Sequence, residues 1–285
     1  MNAAALLHSI NEQHGTAFEP LERYPSGEQG AFAIVDQGGQ HYVLKWGTDE
    51  GHLDRLQQVV VITQALRNVG YPAPRYCMLG TLHGYSYTIQ EELPGSPMKV
   101  VTASVLPRLL ELNGLQTGLA TSEQHEWPAP VVETVMVGGD GYCLLDSLRT
   151  HSPTTAELLT VLQAVVSAHR NEHFETHDVV HFDFNPSNIL LEHGQVSGVI
   201  DWEGTCAGDC TFDLATLLFY AYDALDIREQ LLLAIRKRVS PAVLRVYIAH
   251  LILRQLDWSI RYHDRTTVDH FLRVAKHVLR DVHGK

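Results

Sequence analysis

HFDFNPSNILL (residues 181–191), followed by VIDWE (199–203), is the stretch on which the fold of this chain turns. It closes a longer segment, AHRNEHFETHDVVHFDFNPSNILL (168–191), in which His169, His173, His177 and His181 recur every four residues. Histidines at i and i+4 share a helix face and can bind one zinc ion. Two features work against a zinc hydrolase. Val179-Val180-His181-Phe182 reads as extended, which takes His181 off any shared helical face, and the segment HRNEH lacks the HExxH pattern. His169, His173 and His177 then read as solvated or capping residues near a helix C-terminus, where positive charge is favoured.

Read forward from His181, the string has a different logic. Asp183 stands two residues after the histidine and Asn188 five after that aspartate. A hairpin-like segment around Gly194 then leads to Asp201 at the end of a β-type run. A catalytic-loop Asp, a catalytic-loop Asn and a metal-binding Asp at a strand end occur in this order in the phosphoryl-transfer machinery of protein kinases. The chemistry explains the residue types. Transfer of a γ-phosphoryl group uses Mg2+ to bridge phosphate oxygens, and Mg2+ takes hard oxygen ligands. Asn188 offers an amide oxygen and Asp201 a carboxylate, which leaves Asp183 to accept or orient the proton of an incoming hydroxyl.

The bulk properties fit a soluble, well-cored protein. The 285 residues are 45% hydrophobic and 19% charged, enough for two ordinary domains or one large one with a real core. A net charge of −12 argues against a grip on nucleic acid, which needs clustered cations. It is compatible with a cationic small ligand. Cys77, Cys143, Cys206 and Cys210 are too few and too scattered for a disulfide framework and read as reduced thiols. The opening MNAAALLHSINEQ has no basic segment ahead of its short apolar run, so it does not read as a secretory signal. No apolar run reaches membrane-spanning length. The expectation is a cytoplasmic protein without nucleic-acid or membrane partners.

The rest of the chain divides in two. GAFAIV (30–35) and HYVLKW (41–46) are β-type runs joined by the turn DQGGQ, with residues 22–25 as a first strand. Residues 53–68 show helical spacing that stops before Gly70 and Pro72. RYCMLGTLHGYSYTIQEEL (75–93) reads as a hairpin turning at His83-Gly84. LPGSP (93–97) is punctuation, which puts a boundary between 1–93 and 94–285. Beyond it the spacing predicts helices over 103–118, 155–169, 213–222 and 226–238. Ser240-Pro241 opens a long helix to about residue 262, and a last one runs from Thr266 or Thr267 to about 283. The island 179–200 is β-type.

HFDFNPSNILL together with VIDWEGTCAGDCTFDLATL (199–217) resembles the aminoglycoside phosphotransferase and choline-kinase-like family of small-molecule kinases. The likeness is carried by His181, Asp183 and Asn188, then Ile200-Asp201-Trp202-Glu203, then Gly208-Asp209 with Asp213-Leu214-Ala215, and it covers about residues 24–222. It implies an α+β, two-lobed protein-kinase-like fold. A small N-terminal antiparallel β-sheet lobe with one helix precedes a larger, mostly helical C-terminal lobe. It implies Asp183 as the catalytic residue, with Asn188 and Asp201 as Mg2+ ligands. Lys45 in YVLKWG would contact the phosphates of ATP or GTP. Ser26 and Gly27 of SGEQGAFAI would form the nucleotide loop, and Gln90, Glu91 and Leu93 of YTIQEELPG the hinge at the purine. His181, Asp209 and Asp213 are implied as structural groups that brace the catalytic loop and cap the helix at Leu214.

One departure concerns Lys45. The helix after it should carry an acid to pair with the lysine, but its middle reads RLQQVVVITQAL. Glu50, Asp54, Gln57 and Gln58 are the candidates left, and the gap admits a nucleotide-binding, pseudokinase-like regulator. The family's acceptors are small hydroxyl compounds. An aminoglycoside or another antibiotic comes first, with a metabolite such as choline, a sugar or homoserine as the alternative. Candidate acceptor contacts are Glu203, Asp223, Asp226, Asp257, Trp258 and Tyr262.

Overall fold

The protein folds as the period-two and helical patterns require, in a computed structural model that describes residues 3–24, 31–48, 52–120, 127–139 and 141–283. Its chain forms two compact units, one of residues 1–97 with 189–203, the other of 98–188 with 204–285. Residues 189–203 therefore pack with the N-terminal part of the chain rather than with their sequence neighbours.

In the first unit, helix α1 (Ala3–His14) leads into strands β1 (Glu19–Arg23), β2 (Phe32–Val35) and β3 (His41–Gly47). Helix α2 (His52–Asn68), β4 (Tyr76–Leu82), β5 (Tyr85–Glu91) and the short β6 (Ser96–Pro97) follow. The antiparallel five-stranded sheet runs in the order β1-β2-β3-β5-β4. The period of two sorts β3: Leu44 is fully buried, while Lys45 next to it points to the other face and stands opposite Thr88 of β5. The Leu44 face is covered by α1, whose Leu6, Leu7 and Ile10 form one core with Ile34, Leu44, Tyr87 and Ile89. The sequence reading had no helix at α1, so the sheet carries a second helix beside the expected α2. The first strand begins at Glu19, three residues ahead of the stretch expected, and Pro25 lies outside the described residues, as do Ser26, Gly27 and Glu50.

In the second unit, helices α3 (Leu106–Leu115), α4 (Ala129–Val137), α5 (Leu145–His151) and α6 (Pro153–His169) precede strand β7 (Asp178–Val180). The hairpin β8 (Ile189–Glu192) and β9 (Gln195–Val199) belongs to the first unit, where β8 pairs with β6. Strand β10 (Cys206–Gly208) returns to pair antiparallel with β7. Helices α7 (Thr211–Tyr220), α8 (Leu225–Arg236), α9 (Pro241–Tyr262) and α10 (Arg265–His283) complete the unit. From Val246 to Leu253 every residue of α9 is buried, as befits a central helix, and α4, α5, α6, α7 and α10 all pack on it. Ser240 caps it by accepting the Val243 N–H at 3.2 Å. No helix among the described residues is long and apolar enough to cross a membrane.

An aromatic cluster fills the space beneath β7 and β10. Trp127 packs edge-on against Phe212 and Tyr247, and Phe182 stacks on Phe212 with centroids 5.2 Å apart. His250 of α9 lies against Phe182 and Phe212, fully buried. Its Nδ1 faces the Val131 carbonyl at 3.3 Å. Burial, with Arg254 nearby, pushes its imidazole down to about 3, so the ring is neutral in the folded protein.

Two outcomes follow from this cluster. A Cβ on Gly208 would meet the Trp127 ring at 2.5 Å, and Trp127 is walled in. Gly208→Ala should lower stability by about 1–3 kcal/mol in urea denaturation. His250 stays neutral when folded but takes up a proton near its ordinary value when unfolded. Its contribution to stability is therefore present above about pH 6.5 and is lost as pH falls toward 3, by about 1 kcal/mol per pH unit. In His250→Phe, the melting temperature should decline less steeply between pH 7 and 5 than in the parent; an unchanged slope would exclude this role for His250.

Candidate active site

In the first unit, chemistry gathers around Lys45. Its Nζ donates to Asp201 Oδ1 at 2.8 Å and to Glu203 Oε1 at 2.9 Å. None of the α2 candidates takes that place: Asp54, Gln57 and Gln58 are exposed. The missing helix acid is replaced by two carboxylates from the segment after β9. Desolvation pulls the ammonium down, but Glu203 and Asp201 outweigh it and hold Lys45 charged, above its ordinary value. Burial pushes the Glu203 carboxyl up, against the pull of Lys45. Its second oxygen is buried with no protein partner among the described residues.

The segment is held by Trp202, which is fully buried, donates from Nε1 to the Val199 carbonyl at 2.8 Å and packs edge-on against Tyr71. The Val199 N–H donates to the Pro72 carbonyl at 2.9 Å, so the exit of α2 anchors β9. Asp201 itself adopts φ 70°, left-handed for a residue with a Cβ, at a cost of about 1–3 kcal/mol. The Asp201 side chain stays half exposed. Of the hinge residues, Gln90 is buried with its Oε1 unpartnered among the described residues, and Glu91 is paired with Arg67 and Arg75. Leu93 packs its side chain over Gly198.

In the second unit, the turn after β7 presents Asp183. Asp213, in the first turn of α7, organises it from below. Its Oδ2 accepts the His181 N–H at 2.8 Å and the Gln116 amide at 2.7 Å, and its Oδ1 accepts the Phe182 N–H at 3.0 Å. Burial pushes this carboxyl up to about 7 while the three donors pull it back. His181 is fully buried, and its Nδ1 accepts the Asp183 N–H at 3.2 Å. Phe182 between them sits at φ 72°. Asp209 accepts the Thr211 N–H at the start of α7 and the Tyr247 hydroxyl at 2.7 Å.

The Asp183 carboxylate is gripped by three side chains. Asn185 Nδ2 donates to Oδ1 at 2.8 Å, Arg254 Nη2 donates to the same oxygen, and Asn188 Nδ2 donates to Oδ2 at 3.1 Å. Asn188 Nδ2 also reaches the Asp183 carbonyl at 2.9 Å. With its nitrogen spent in this way, Asn188 has its amide oxygen left for a hard cation. Thr216, Phe219, Tyr220, Leu251 and Gln255 line the small recess beside Asp183 and Arg254.

Asn185 and Arg254 were absent from the sequence reading. Asn185 carried a local signal, since N-P-S invites the Asx-type bonds it makes to Ser187. Arg254 was visible only as one of three arginines, with Arg245 and Arg261, in a largely apolar helix. The proposed acceptor contacts are scattered. Glu203 is with Lys45, and Asp223 meets Arg273 at 3.3 Å on the surface. Asp226 lies in the first turn of α8. Asp257 is buried between Ser147 and Arg261, while the rings of Trp258 and Tyr262 lie tilted at 42° with centroids 4.2 Å apart, the Arg261 guanidinium over Tyr262. The histidine row does not assemble. Among the described residues the one group with metal-ligand spacing is Asp178, Asp209 and Cys210, all buried.

Known proteins resemble this one at the level of fold. Over 46 residues it is 35% identical to hygromycin-B 4-O-kinase of Escherichia coli, a match spanning 16% of this chain and 14% of that one. A thermostable variant of aminoglycoside phosphotransferase APH(4)-Ia, in a ternary complex with AMP-PNP and hygromycin B, superposes with TM-score 0.74 at 17% identity, covering 98% of this chain and 99% of that one. The GDP complex of an aminoglycoside 2'-phosphotransferase-IIIa variant gives 0.69 at 14% identity, covering 97% of each chain. This is the protein-kinase-like fold expected from the sequence. The profile of the Phosphotransferase enzyme family, APH, matches residues 20–247, and the chain belongs to that family.

Proposed function

We propose that this protein transfers the γ-phosphoryl group of ATP or GTP to a hydroxyl of a small molecule, with an aminoglycoside or a related antibiotic as the acceptor class. The observation that carries this reading is the Asp183 carboxylate, held by three side chains in a left-handed turn that only a well-braced loop sustains. Asp183 takes the hydroxyl proton as the acceptor oxygen bonds to the γ-phosphorus and the diphosphate leaves. Lys45, kept charged by Asp201 and Glu203, binds phosphate oxygens. Leu93 and its neighbours in the hinge take the base.

The donor set suits Mg2+: a half-exposed carboxylate at Asp201 and an amide oxygen at Asn188. Asp201 and Asn188 would each offer an oxygen to the ion, which would supply positive charge to the phosphates. The regulator reading rested on the missing helix acid. Two carboxylates on Lys45 remove its basis. ATP, GTP and Mg2+ abound in the cytoplasm, where we place the reaction.

Screening of the purified chain with MgATP or MgGTP against hygromycin B and other aminoglycosides, read as nucleoside diphosphate release, tests the activity. Asp183→Ala should lower kcat by about 100-fold or more, with the thermal shift on MgATP retained. Asp201→Ala should lose the Mg2+-dependent part of that shift. Turnover that survives Asp183→Ala would refute the assignment.

A further inference from the structure

Arg254 belongs to none of the motifs that mark the site, yet its guanidinium is bonded twice to the turn that carries Asp183. Nη1 donates to the Phe182 carbonyl at 2.6 Å and Nη2 donates to Asp183 Oδ1. The guanidinium also lies 5.4 Å from the centre of the Phe182 ring. Phe182 is the left-handed residue of the turn, and Asp213 already takes its N–H. Its backbone is thus clamped at both ends, by an anion on the N–H and a cation on the carbonyl. The cation comes from the central helix α9, which is buried over consecutive turns on either side. Next to it, Gln255 accepts the Tyr220 hydroxyl and donates to Ser259 Oγ at 3.1 Å. A fork on so rigid an element fixes what it touches.

The two oxygens of Asp183 are not equivalent. Oδ1 receives Arg254 and Asn185, whereas Oδ2 receives the Asn188 amide at 3.1 Å. A carboxylate oxygen has about two lone-pair sites. Among the described residues Oδ1 is therefore saturated and Oδ2 has one site left.

We propose that Arg254 is a positioning residue for phosphoryl transfer, setting the rotation of the Asp183 carboxylate so that Oδ2 receives the acceptor hydroxyl. The inference rests on the hydroxyl-kinase reading. In the step, the acceptor oxygen bonds to the γ-phosphorus and its proton passes to Asp183 Oδ2. The bond from phosphorus to the bridging oxygen breaks, and its electron pair leaves on the nucleoside diphosphate. A lysine keeps the charge of Arg254 but not the planar fork that spans the Phe182 carbonyl and Asp183 together.

The test uses the full chain with MgATP and hygromycin B. Arg254→Ala should lower kcat roughly 30-fold, with the nucleotide KM within about twofold of the parent; guanidinium chloride, but not potassium chloride, should recover part of the loss. Arg254→Lys, the variant that decides if the alanine protein does not fold, should lose roughly fivefold or more in kcat. A kcat within about twofold of the parent in either folded variant overturns the proposal. So does a joint loss of kcat and nucleotide binding without guanidinium rescue. If the parent transfers no phosphate to hygromycin B or to any aminoglycoside tested, the kinase reading fails on its own. Positioning is then judged from a crystal structure of Arg254→Ala. A rotated Asp183 carboxylate or a relaxed Phe182 supports it, and an unmoved turn overturns it.

Discussion

A single buried carboxylate holds together the turn that carries Asp183. Asp213 accepts two backbone N–H groups, from His181 and Phe182, and the side-chain amide of Gln116, and it lies in the first turn of α7, where the helix dipole favours negative charge. Burying a carboxylate is costly, and each donor left without it would itself cost about 1–3 kcal/mol. The arrangement is therefore nearly all or nothing. With Asp213 in place, the chain leaving β7 bends through a left-handed Phe182, the phenyl ring drops into the aromatic cluster, and Asp183 turns upward. Asp209 plays a supporting part through Thr211 and Tyr247 at the start of the same helix.

The first unit solves a related problem by other means. A lysine on a half-buried strand needs counter-charges, and α2, the usual source, offers only the exposed Asp54 in its first turn. The acids come instead from the turn after β9, where Trp202 and Tyr71 fix the backbone. Lys45 consequently has two anionic partners instead of one. The left-handed Asp201 shows where the strain of that geometry is stored.

What the sequence revealed and what it hid have physical explanations. Strong periodicity made α2, α6, α9 and the β4–β5 hairpin legible, because burial on one face or all round writes a pattern. Helices α4 and α5 are short, with nine and seven residues, too few turns for a period to declare itself. Helix α1 opens on AAALL, five apolar residues in a row that set no helical period. Within the site, the local cluster from His181 to Asn188 was readable, since its partners are near in sequence. Arg254, seventy-one residues from Asp183, left no local trace. Glu203 was visible as part of the IDWE segment, but spacing alone could not show that it would face Lys45.

The packing of residues 189–203 with the first ninety-seven has a bearing on biogenesis. A ribosome finishes the five-stranded sheet, its two helices and Lys45 well before it makes the hairpin to which β6 pairs and the turn that neutralises the lysine. At 5–20 residues per second that interval is roughly 5 to 20 s. Until then β6 and Lys45 lack the partners they have in the folded unit. The N-terminal unit is thus contiguous in space but not in time, and a fragment cut at residue 97 would lack part of its own body.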